Sequence, residues 1–515
     1  MKNKSLLKPT IQVTFFSFVG ILFSFANQLA VAYFFGASPE RDAYFAAMAI
    51  PTYLSAIFSG SVCMIFLPKY VDVLQKEGQE RATRFLGNTL GFSALITFAI
   101  VFLITVFAAP VLSVSAPGFD SVKLELTKKI LIILLPTFIF QMASSLLGSV
   151  LQVNHKFIIP SVAPIFGAMV SLVLVLILSK VIGIKSLAFG TLVSSIVVLV
   201  VICYSLHKLN FGIRLRFNFS DEDLKSLMLI SMPLFFGGIV YRLSPVFERM
   251  IGSRLPQGSI SYLGYANQFL AIIATITTSG IATTIFPRMS KDYSENNINS
   301  LRSSFIMAIG SILIVVLPIA IVFYMFGVRI VQLLFERGAF THDVTLAVYS
   351  TFVILLGALV FQSLGNIIMR ILYLSKKTVF ATIIATTEIA VYLFGAMWLC
   401  RYYTYKGLAF AQSFSTGITF LLAMIVINSQ IFKFGPAFFK SIAKVLVSNL
   451  ILFLFLFLAN QIWNDLHGLL SIVIKTSAGF TLMYYVLIKL KVQEILHFKN
   501  IITTKIGEFF NYKSL

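Results

Sequence analysis

The sequence predicts an all-α, polytopic membrane protein with about fourteen transmembrane helices. Its 515 residues are 58% hydrophobic and only 11% charged, with a mean hydropathy of +0.93, whereas soluble domains carry about 25% charged residues. The apolar residues form runs of twenty or more, which is the length that crosses about 30 Å of hydrocarbon. Such long continuous runs exclude a transmembrane barrel, whose strands alternate over about ten residues.

The predicted spans follow one another along the chain with short connections. We place them at residues 11–36, 44–68, 85–113, 127–152, 157–179, 184–206, 226–251, 261–287, 304–333, 345–373, 378–400, 407–430, 440–463 and 468–490. No small-residue cleavage site follows the first span, so we expect a retained helix that also targets the chain to the membrane. The tail after residue 490 alternates apolar and basic residues and is predicted to lie on the inner surface as an amphipathic helix.

The net charge of +21, from 40 Lys and Arg against 19 Asp and Glu, is spread over the short loops between these spans. This distribution forms no basic domain for a duplex, so a nucleic-acid partner is excluded. The positive-inside rule explains the charge instead and predicts an inner-membrane protein with both termini in the cytoplasm. Cys63, Cys203 and Cys400 lie in or at the ends of apolar runs and are expected to be buried free thiols.

The chain also repeats itself at an offset of about 220 residues, as transporters with two related lobes do. The segment Phe107 to Phe119 resembles Phe326 to Phe340, and the dipeptide Phe140-Gln141 matches Phe361-Gln362. Six spans separate the copies, and an even number preserves orientation, so the repeats are predicted to be parallel. We expect two six-helix lobes and two added helices, with the boundaries 1–210, 211–432 and 433–492 and a cytoplasmic tail at 493–515.

No catalytic triad, nucleotide loop or metal cluster stands out in the sequence, and the chain is predicted not to be an enzyme. The informative residues are instead the charges within spans, because each costs about 2.5–3.5 kcal/mol at the centre of a membrane helix. Arg242, Glu248 and Arg249 lie on the seventh span, and the two arginines share a helix face. They predict a cationic cavity wall for an anionic group such as a pyrophosphate. The alternative is an internal ion pair near the outer end of the span.

Glu388 is the lone charge of the eleventh span. A carboxylate buried without a neighbouring base is suited to carrying a proton or holding a sodium ion, so we predict coupling to H⁺ or Na⁺. The alternative is a neutral carboxyl held by Thr386 or Thr387. Apart from such an ion, no cofactor is expected.

Further polar residues are candidates for the cavity. Arg370 ends the tenth span, where it reaches either the cavity or the inner interface, and Arg41 and Asp42 either start a solvated helix or gate the outer side. Amide side chains within spans are expected to bind sugar hydroxyls or, as the alternative, to form interhelical hydrogen bonds. These side chains are Asn27, Gln28 and Gln268. Lys475 is predicted to extend outward from the fourteenth span.

Several motifs occur in a recognisable order. They are FGASPERDAYFAAMAIP at 35–51, FLPKY at 66–70, SAPGF at 115–119, GSISYLGYANQF at 258–269, FPRMS at 286–290, LLFERGAFT at 333–341 and GLAFAQSFSTG at 407–417. Together they resemble the MurJ/MviN lipid II flippases of the multidrug/oligosaccharidyl-lipid/polysaccharide exporter superfamily.

The resemblance implies a fold and a role for particular residues. It implies two six-helix lobes, two added helices that form a lipid-tail groove, and alternating access for an undecaprenyl-pyrophosphate-linked sugar, driven by the membrane potential or an ion gradient. Asp42 matches the family aspartate after the first span. Glu248 lies near an acidic position of the seventh span and is a further candidate for ion coupling. Glu388 lies near the cation ligands of the eleventh span, and Ser413 or Thr416 near those of the twelfth.

The sequence also departs from the family pattern. The family's cavity charges fall on uncharged residues, which are Asn27, Gln28, Ser55, Ala56, Gly60 and Gln268. Arg242 or Arg370 would then supply the positive charge. These losses favour a related cargo, such as an exopolysaccharide or O-antigen unit, with lipid II second.

Two other functions remain as alternatives. A cation-coupled drug antiporter of the same superfamily is less favoured, because such antiporters usually have twelve spans. A non-transporting scaffold for envelope synthesis would explain the lost charges, but the retained Arg242, Glu248 and Glu388 are costly to keep without transport. The expected partners are a lipid-linked anionic glycan, membrane lipids, and glycan polymerases or glycosyltransferases, and the chain is expected to be a monomer.

Overall fold

The structure is a computed structural model that describes residues 4–209, 211–212, 214–462, 468–492 and 494–495. These residues form sixteen α-helices, and no strand occurs within the described ranges. Twelve helical stretches among them are long and apolar enough to cross a membrane. The chain is therefore a multi-pass, all-α membrane protein, as the hydropathy pattern predicts.

The helices follow the predicted spans closely. The first eight are α1 (Lys4–Phe35), α2 (Pro39–Val106), α3 (Ala108–Ser115), α4 (Ser121–Leu134), α5 (Pro136–Val153), α6 (Ile158–Ile182), α7 (Lys185–Lys208) and α8 (Glu222–Tyr241). The other eight are α9 (Ser244–Gly252), α10 (Ser259–Ser294), α11 (Ile298–Phe335), α12 (His342–Leu374), α13 (Thr378–Tyr403), α14 (Tyr405–Gln430), α15 (Pro436–Ile462) and α16 (Leu469–Lys489).

Helix α2 contains the second predicted span and most of the third, whose last residues form α3. It begins where the Ser38 side chain accepts a hydrogen bond from the Arg41 backbone N–H, with Pro39 at the first turn, which are two signals for a helix start. Gly78 interrupts it with φ 82° and ψ 179°, a conformation that glycine adopts without a steric penalty. The helix thus consists of two spans joined at Gly78, which is why one long element replaces two predicted ones.

The seventh predicted span is also divided. Helix α8 ends at Tyr241 and α9 starts at Ser244, with Pro245 in the first turn of α9. Proline lacks the N–H that would continue the preceding helix, so the break falls at Arg242 and Leu243. The fourth span likewise comprises α4 and α5, and the eighth lies on α10, which is not among the twelve stretches.

The chain divides into two compact units. The first comprises Met1–Gly264 and Phe335–Val344, and the second comprises Tyr265–Leu334 and Thr345–Leu515. The division differs from the expected lobe boundary at residue 210 because α8 and α9 both pack against α2 within the first unit. Of the predicted tail at 493–515, all but residues 494 and 495 lies outside the described residues.

The first unit has two apolar clusters. One gathers residues such as Val31, Tyr44 and Leu131 from α1, α2 and α4. The other gathers Phe66 and Leu206, among others, from α2 and α7. The two clusters hold α2 at separate stretches, so the part of α2 between them is positioned by packing on both sides.

Candidate functional site

The Asp42 carboxylate lies in the first turn of α2 and is only 2% exposed. Its Oδ1 accepts hydrogen bonds from the Ser261 backbone N–H at 2.8 Å and from the Ser261 hydroxyl at 2.6 Å. Its Oδ2 accepts from the Gly258 backbone N–H at 2.8 Å and from Lys123 Nζ at 3.1 Å. The carboxylate thus binds the amino-terminal end of α10, where backbone N–H groups lack partners within the helix, and it neutralises Lys123.

The neighbouring predicted residues also have partners. The Arg41 guanidinium donates to Gln28 Oε1 at 3.3 Å and lies 4.1 Å from the centre of the Phe45 ring. Asn27 Nδ2 donates to the Ser171 hydroxyl at 3.2 Å, which connects α1 to α6. For Asn27 and Gln28 the structure therefore displays the interhelical hydrogen bonding that was the alternative to sugar binding. Both roles in substrate binding stay predictions.

One face of α2 and the break between α8 and α9 enclose a cavity of about 350 Å³. The α2 residues recur every three or four positions, which is the spacing of a single helix face. The lining residues are Phe45, Met48, Ala49, Thr52, Tyr53, Ala56, Arg242, Pro245 and Arg249. The structure therefore brings the two predicted arginines of the seventh span to one cavity, whose other walls are mostly apolar.

Arg242 lies at the helix break and its side chain is exposed to the cavity. Its guanidinium faces Gly60 on α2, where an added Cβ would lie 3.3 Å from Nη2. Among the described residues, no carboxylate oxygen lies within 4.0 Å of this guanidinium. Tyr53 fixes the same region, since its hydroxyl donates to the Ile239 carbonyl at 2.8 Å. The position offers five N–H donors in a planar fork, which matches the oxygens of a phosphate.

Arg249, unlike Arg242, forms an ion pair. Its Nη1 lies 2.9 Å from Glu248 Oε1 and donates to the Ile260 carbonyl at 3.4 Å. Its guanidinium also lies 5.3 Å from the centre of the Phe45 ring. Glu248 thus pairs with Arg249 rather than with Arg242, so the ion-pair interpretation describes Arg249 and the cavity interpretation describes Arg242.

Three of the predicted coupling residues lie in the second unit, whereas Glu248 lies in the first. Glu388 is a half-buried residue of α13, which packs against α14. On α14, the Ser413 hydroxyl donates to the Ile354 carbonyl at 2.6 Å and accepts from the Ala358 N–H at 3.1 Å, and the Thr416 hydroxyl donates to the Gln412 carbonyl at 2.9 Å. In the part of the chain that the structure describes, no group of three or more His, Cys, Asp or Glu side chains is arranged for a metal ion.

Three further predicted positions also lie in the second unit. Gln268 is half-buried on α10, and Arg370 is exposed on α12 with its guanidinium 5.2 Å from the centre of the Phe286 ring. The prediction that Lys475 extends outward is wrong, because its side chain is 3% exposed within α16. The packing partners of a span decide this burial, and a single sequence does not reveal them.

Some residues of the first unit were missed in the sequence. Lys123 and Ser261 complete the Asp42 cluster, and Tyr53 and Thr52 line the cavity. The signal for Ser261 was present, because it lies in the motif GSISYLGYANQF. Lys123 looked like an ordinary basic residue of a loop, and only the fold places it next to Asp42.

Comparison with known proteins gives consistent matches over nearly the whole chain. The family model described as "Lipid II flippase MurJ" matches residues 31–479. A "Probable lipid II flippase MurJ" of Buchnera aphidicola subsp. Schizaphis graminum is 27% identical over 458 residues, covering 88% of this chain and 89% of the relative. A "Probable lipid II flippase MurJ" of Rickettsia prowazekii is 27% identical over 343 residues, covering 65% of this chain and 67% of the relative.

Solved structures show the same fold. The structure titled "Lipid II flippase MurJ, inward closed conformation" matches with a TM-score of 0.79 at 23% identity, covering 93% of this chain and 98% of that one. An inward-facing multidrug resistance MATE family transporter of the MOP superfamily matches with a TM-score of 0.66 at 16% identity, covering 80% of this chain and 98% of that one.

Proposed function

Since the chain belongs to the lipid II flippase MurJ family, we propose that it carries an undecaprenyl-pyrophosphate-linked saccharide from the inner to the outer leaflet by alternating access. It is a transporter of the MOP superfamily and not an enzyme. We propose lipid II as the cargo and an exopolysaccharide or O-antigen unit as the second choice. The names of the relatives support this order, which reverses the order drawn from the missing charges.

The observation that carries the proposal is the Arg242 guanidinium at the cavity wall, without a carboxylate partner among the described residues. An arginine in a largely apolar cavity binds phosphate oxygens more strongly than one in bulk water, because the surrounding dielectric constant is lower. The family resemblance of the sequence motifs implies a glutamate at the position of Gly60. In this chain Gly60 brings no negative charge to Arg242, so the positive charge is available to a pyrophosphate.

Arg249 serves the same cavity indirectly. Its charge is largely neutralised by Glu248, whose Oε1 lies 2.9 Å from Arg249 Nη1. Its guanidinium also packs on the ring of Phe45, and this contact positions that part of the cavity wall. We therefore assign phosphate binding to Arg242 and the positioning of the wall to Arg249 and Glu248.

For coupling, we propose that Glu388 carries a proton. The Ser413 hydroxyl already donates and accepts within the α12–α14 packing, which leaves it poorly placed to become a sodium ligand without losing those bonds. Glu388 requires no such rearrangement, because a carboxyl can take up and release a proton on its own. Sodium bound by Glu388 and Thr416 is the second choice.

The remaining assignments are also proposals. The distribution of Lys and Arg supports an inner-membrane location with both termini in the cytoplasm. We also propose that the chain works as a monomer beside glycan polymerases or glycosyltransferases. Enzymes of that kind would use the lipid-linked glycan that it delivers to the outer leaflet.

The proposal is tested by rescue of a bacterium depleted of its own MurJ. Growth should be restored by the wild-type chain and lost with Arg242→Ala, at equal amounts of protein in the membrane. Failure of the wild-type chain, together with transport of a different undecaprenyl-linked unit in vesicles, would overturn lipid II as the cargo. Export of cationic drugs without transport of any lipid-linked glycan would favour the antiporter instead.

A further inference from the structure

A second cavity, of about 490 Å³, lies in the second unit, where α11 and α15 begin and the chain continues beyond α16. It is lined by four cationic side chains and a single carboxylate. These are Arg302, Lys440, Lys444, Lys491 and Glu494. The sequence predicts all three of these helix ends to lie on the cytoplasmic side. None of these residues has a role in the proposed transport cycle.

The local sequence explains how the segment after α16 reaches this pocket. Lys491 has φ 51°, its N–H donates to the Ile488 carbonyl, and the Val492 N–H donates to the Leu487 carbonyl. This is the Schellman pattern of a helix end, in which buried apolar residues such as Leu487 and Val492 commonly contact each other. The turn redirects the chain towards α11 and α15.

The Glu494 carboxyl then fixes the segment. It is 2% exposed, accepts a hydrogen bond from the Ser441 hydroxyl at 2.9 Å, and lies against Gly310 of α11, where a Cβ would collide with it. Its second oxygen has no hydrogen-bond partner among the described residues. Lys444 Nζ donates to the Lys491 carbonyl at 3.4 Å. Three separate elements are thus drawn together around one cationic pocket.

The four cations outnumber the single carboxylate of the pocket and form no ion pair among the described residues. Within those residues, no carboxylate oxygen lies within 4.0 Å of the side-chain nitrogens of Arg302, Lys440, Lys444 or Lys491. The Arg302 guanidinium is held against the backbone of Gly435, where a side chain would displace it. Four like charges around one cavity repel one another, and an anion bound between them would lower that repulsion.

The pocket also has an apolar side. Ile306, Met307 and Ala437 line it. Phe434 and Phe438, with ring centres 4.5 Å apart, stack with Phe305, the residue before Ile306. A pocket that is cationic at a helix end and apolar towards the span matches a phosphate joined to acyl chains. Basic pockets between membrane helices on the cytoplasmic side are typical sites for anionic headgroups.

We propose that this pocket binds the phosphate of an anionic phospholipid of the inner leaflet, and that the bound lipid fastens the segment after α16 to α11 and α15. The site is separate from the cavity at Arg242, and it is occupied by a membrane lipid rather than by the transported glycan. The proposal holds or fails independently of the cargo.

The test uses the purified full-length chain in detergent, with lipid binding followed by native mass spectrometry and stability by thermal unfolding. Three additions are compared: a phosphatidylglycerol, a phosphatidylethanolamine and inorganic phosphate. The wild-type chain should bind phosphatidylglycerol most tightly and gain the most stability from it. Lys440→Gln/Lys444→Gln should weaken that binding about tenfold or more, because each basic residue near the surface contributes about 1 kcal/mol to anionic-lipid attraction.

The matched control is Lys433→Gln/Lys489→Gln, which removes two exposed charges from the same region outside the pocket lining. It should change binding less than twofold. The single variant Lys440→Gln, at an exposed position, gives the same comparison if the double variant folds poorly. An equal loss in the pocket and control variants would overturn the proposal, since attraction would then be general. Equal stabilisation by inorganic phosphate would overturn the assignment to a lipid.

Discussion

Two charged regions of the first unit, both built around α2, differ in how their charges are matched. At the start of α2, the Asp42 carboxylate accepts four hydrogen bonds from three residues, one of them the Lys123 ammonium. About five turns further along α2, Arg242 of the cavity wall faces the bare backbone of Gly60, without a carboxylate within 4.0 Å among the described residues. The charges of the first region hold helices together, and the second region offers a cation to which the described residues supply no carboxylate partner.

The difference teaches how to separate structural from functional charge in a membrane bundle. A charge within a membrane span is expensive in either setting. Where the protein supplies every partner, as at Asp42, the charge holds helices together. Where the protein leaves an arginine at an open cavity, the missing partner is expected to come with the substrate. The comparison predicts that substitutions in the first region change stability and that substitutions in the second change transport.

The largest effect is expected for Asp42→Ala. Removing one member of a buried charge pair leaves Lys123 unpaired and three further donors unsatisfied, which costs about 3–5 kcal/mol of folding stability. Thermal unfolding of the purified protein measures the loss. Asp42→Asn is the control, since its amide oxygen can still accept from Ser261, and it should be destabilised less. A variant with wild-type stability and lost transport would break the comparison, because Asp42 would then belong to the functional region.

The next largest effect is expected for Arg242→Ala, on transport alone. A hydrogen bond to a charged group contributes about 1.5–3 kcal/mol, so transport of the pyrophosphate-linked cargo should fall by about ten- to a hundredfold. The thermal unfolding temperature should remain near that of the wild-type chain, because no described carboxylate depends on Arg242. Arg242→Lys should recover part of the transport. A strongly destabilised Arg242→Ala variant would show that this arginine is structural.

The third prediction concerns a substitution that gives Arg242 a carboxylate partner. Gly60→Glu places a carboxylate opposite Arg242, at a position where the resemblance to the family implies a glutamate and this chain has glycine. The new pair should neutralise the cavity charge and lower transport by about tenfold while leaving stability unchanged within about 0.5 kcal/mol. Gly60→Gln, which has the same size and no charge, is the control. Equal losses in the two variants would indicate blocked space rather than lost charge.

The smallest effect is expected at Asp221, another carboxylate of the first unit whose partners come from the protein. Hydrogen bonds from Arg81, and from Asn88 and the Leu224 backbone N–H, lower the pKa of Asp221 from 3.8 to about 2. Because the folded-state pKa is the lower one, the stabilisation is complete above pH 3.8 and is lost as the pH falls through about 2. The loss should be about 1–2 kcal/mol.

Thermal unfolding of wild-type and Asp221→Asn protein between pH 6 and pH 2 measures this term. The variant should already be less stable at pH 6 and should lose less on acidification than the wild-type chain. Identical pH profiles would show that Asp221 does not act as a matched charge.

Much of the fold is predictable from sequence, because the apolar core of a membrane restricts the length and the type of the segments that cross it. Each run of apolar residues corresponds to helical structure, because a helix supplies the hydrogen bonds that the backbone N–H and C=O groups cannot obtain from lipid. The breaks were harder to predict. Gly78 lies between two spans that form one helix, and Arg242 lies where one predicted span divides. Glycine and proline signal that a helix can bend without stating where it does.

The site was predictable only in part. Arg242 and Arg249 were identified because charges in apolar runs are rare, and the structure places both at one cavity. Their different states depend on which of them meets Glu248, and residues 242, 248 and 249 allow either pairing by spacing alone. The Asp42 cluster joins residues 81 to 219 positions apart in sequence. Contacts of that kind follow from helix packing, which a single sequence does not encode visibly.

The central claim is that Arg242 provides the unmatched charge that binds the cargo, and transport of purified lipid II in proteoliposomes tests it most directly. Wild-type protein, Arg242→Ala and Arg242→Ala/Arg249→Ala are reconstituted at equal density, and the rate at which lipid II reaches the opposite leaflet is measured. The account predicts transport by the wild-type chain, a loss of about tenfold or more with Arg242→Ala, and a further loss in the double variant, because Arg249 and Glu248 position the cavity wall. Unchanged transport with both arginines neutralised would contradict it.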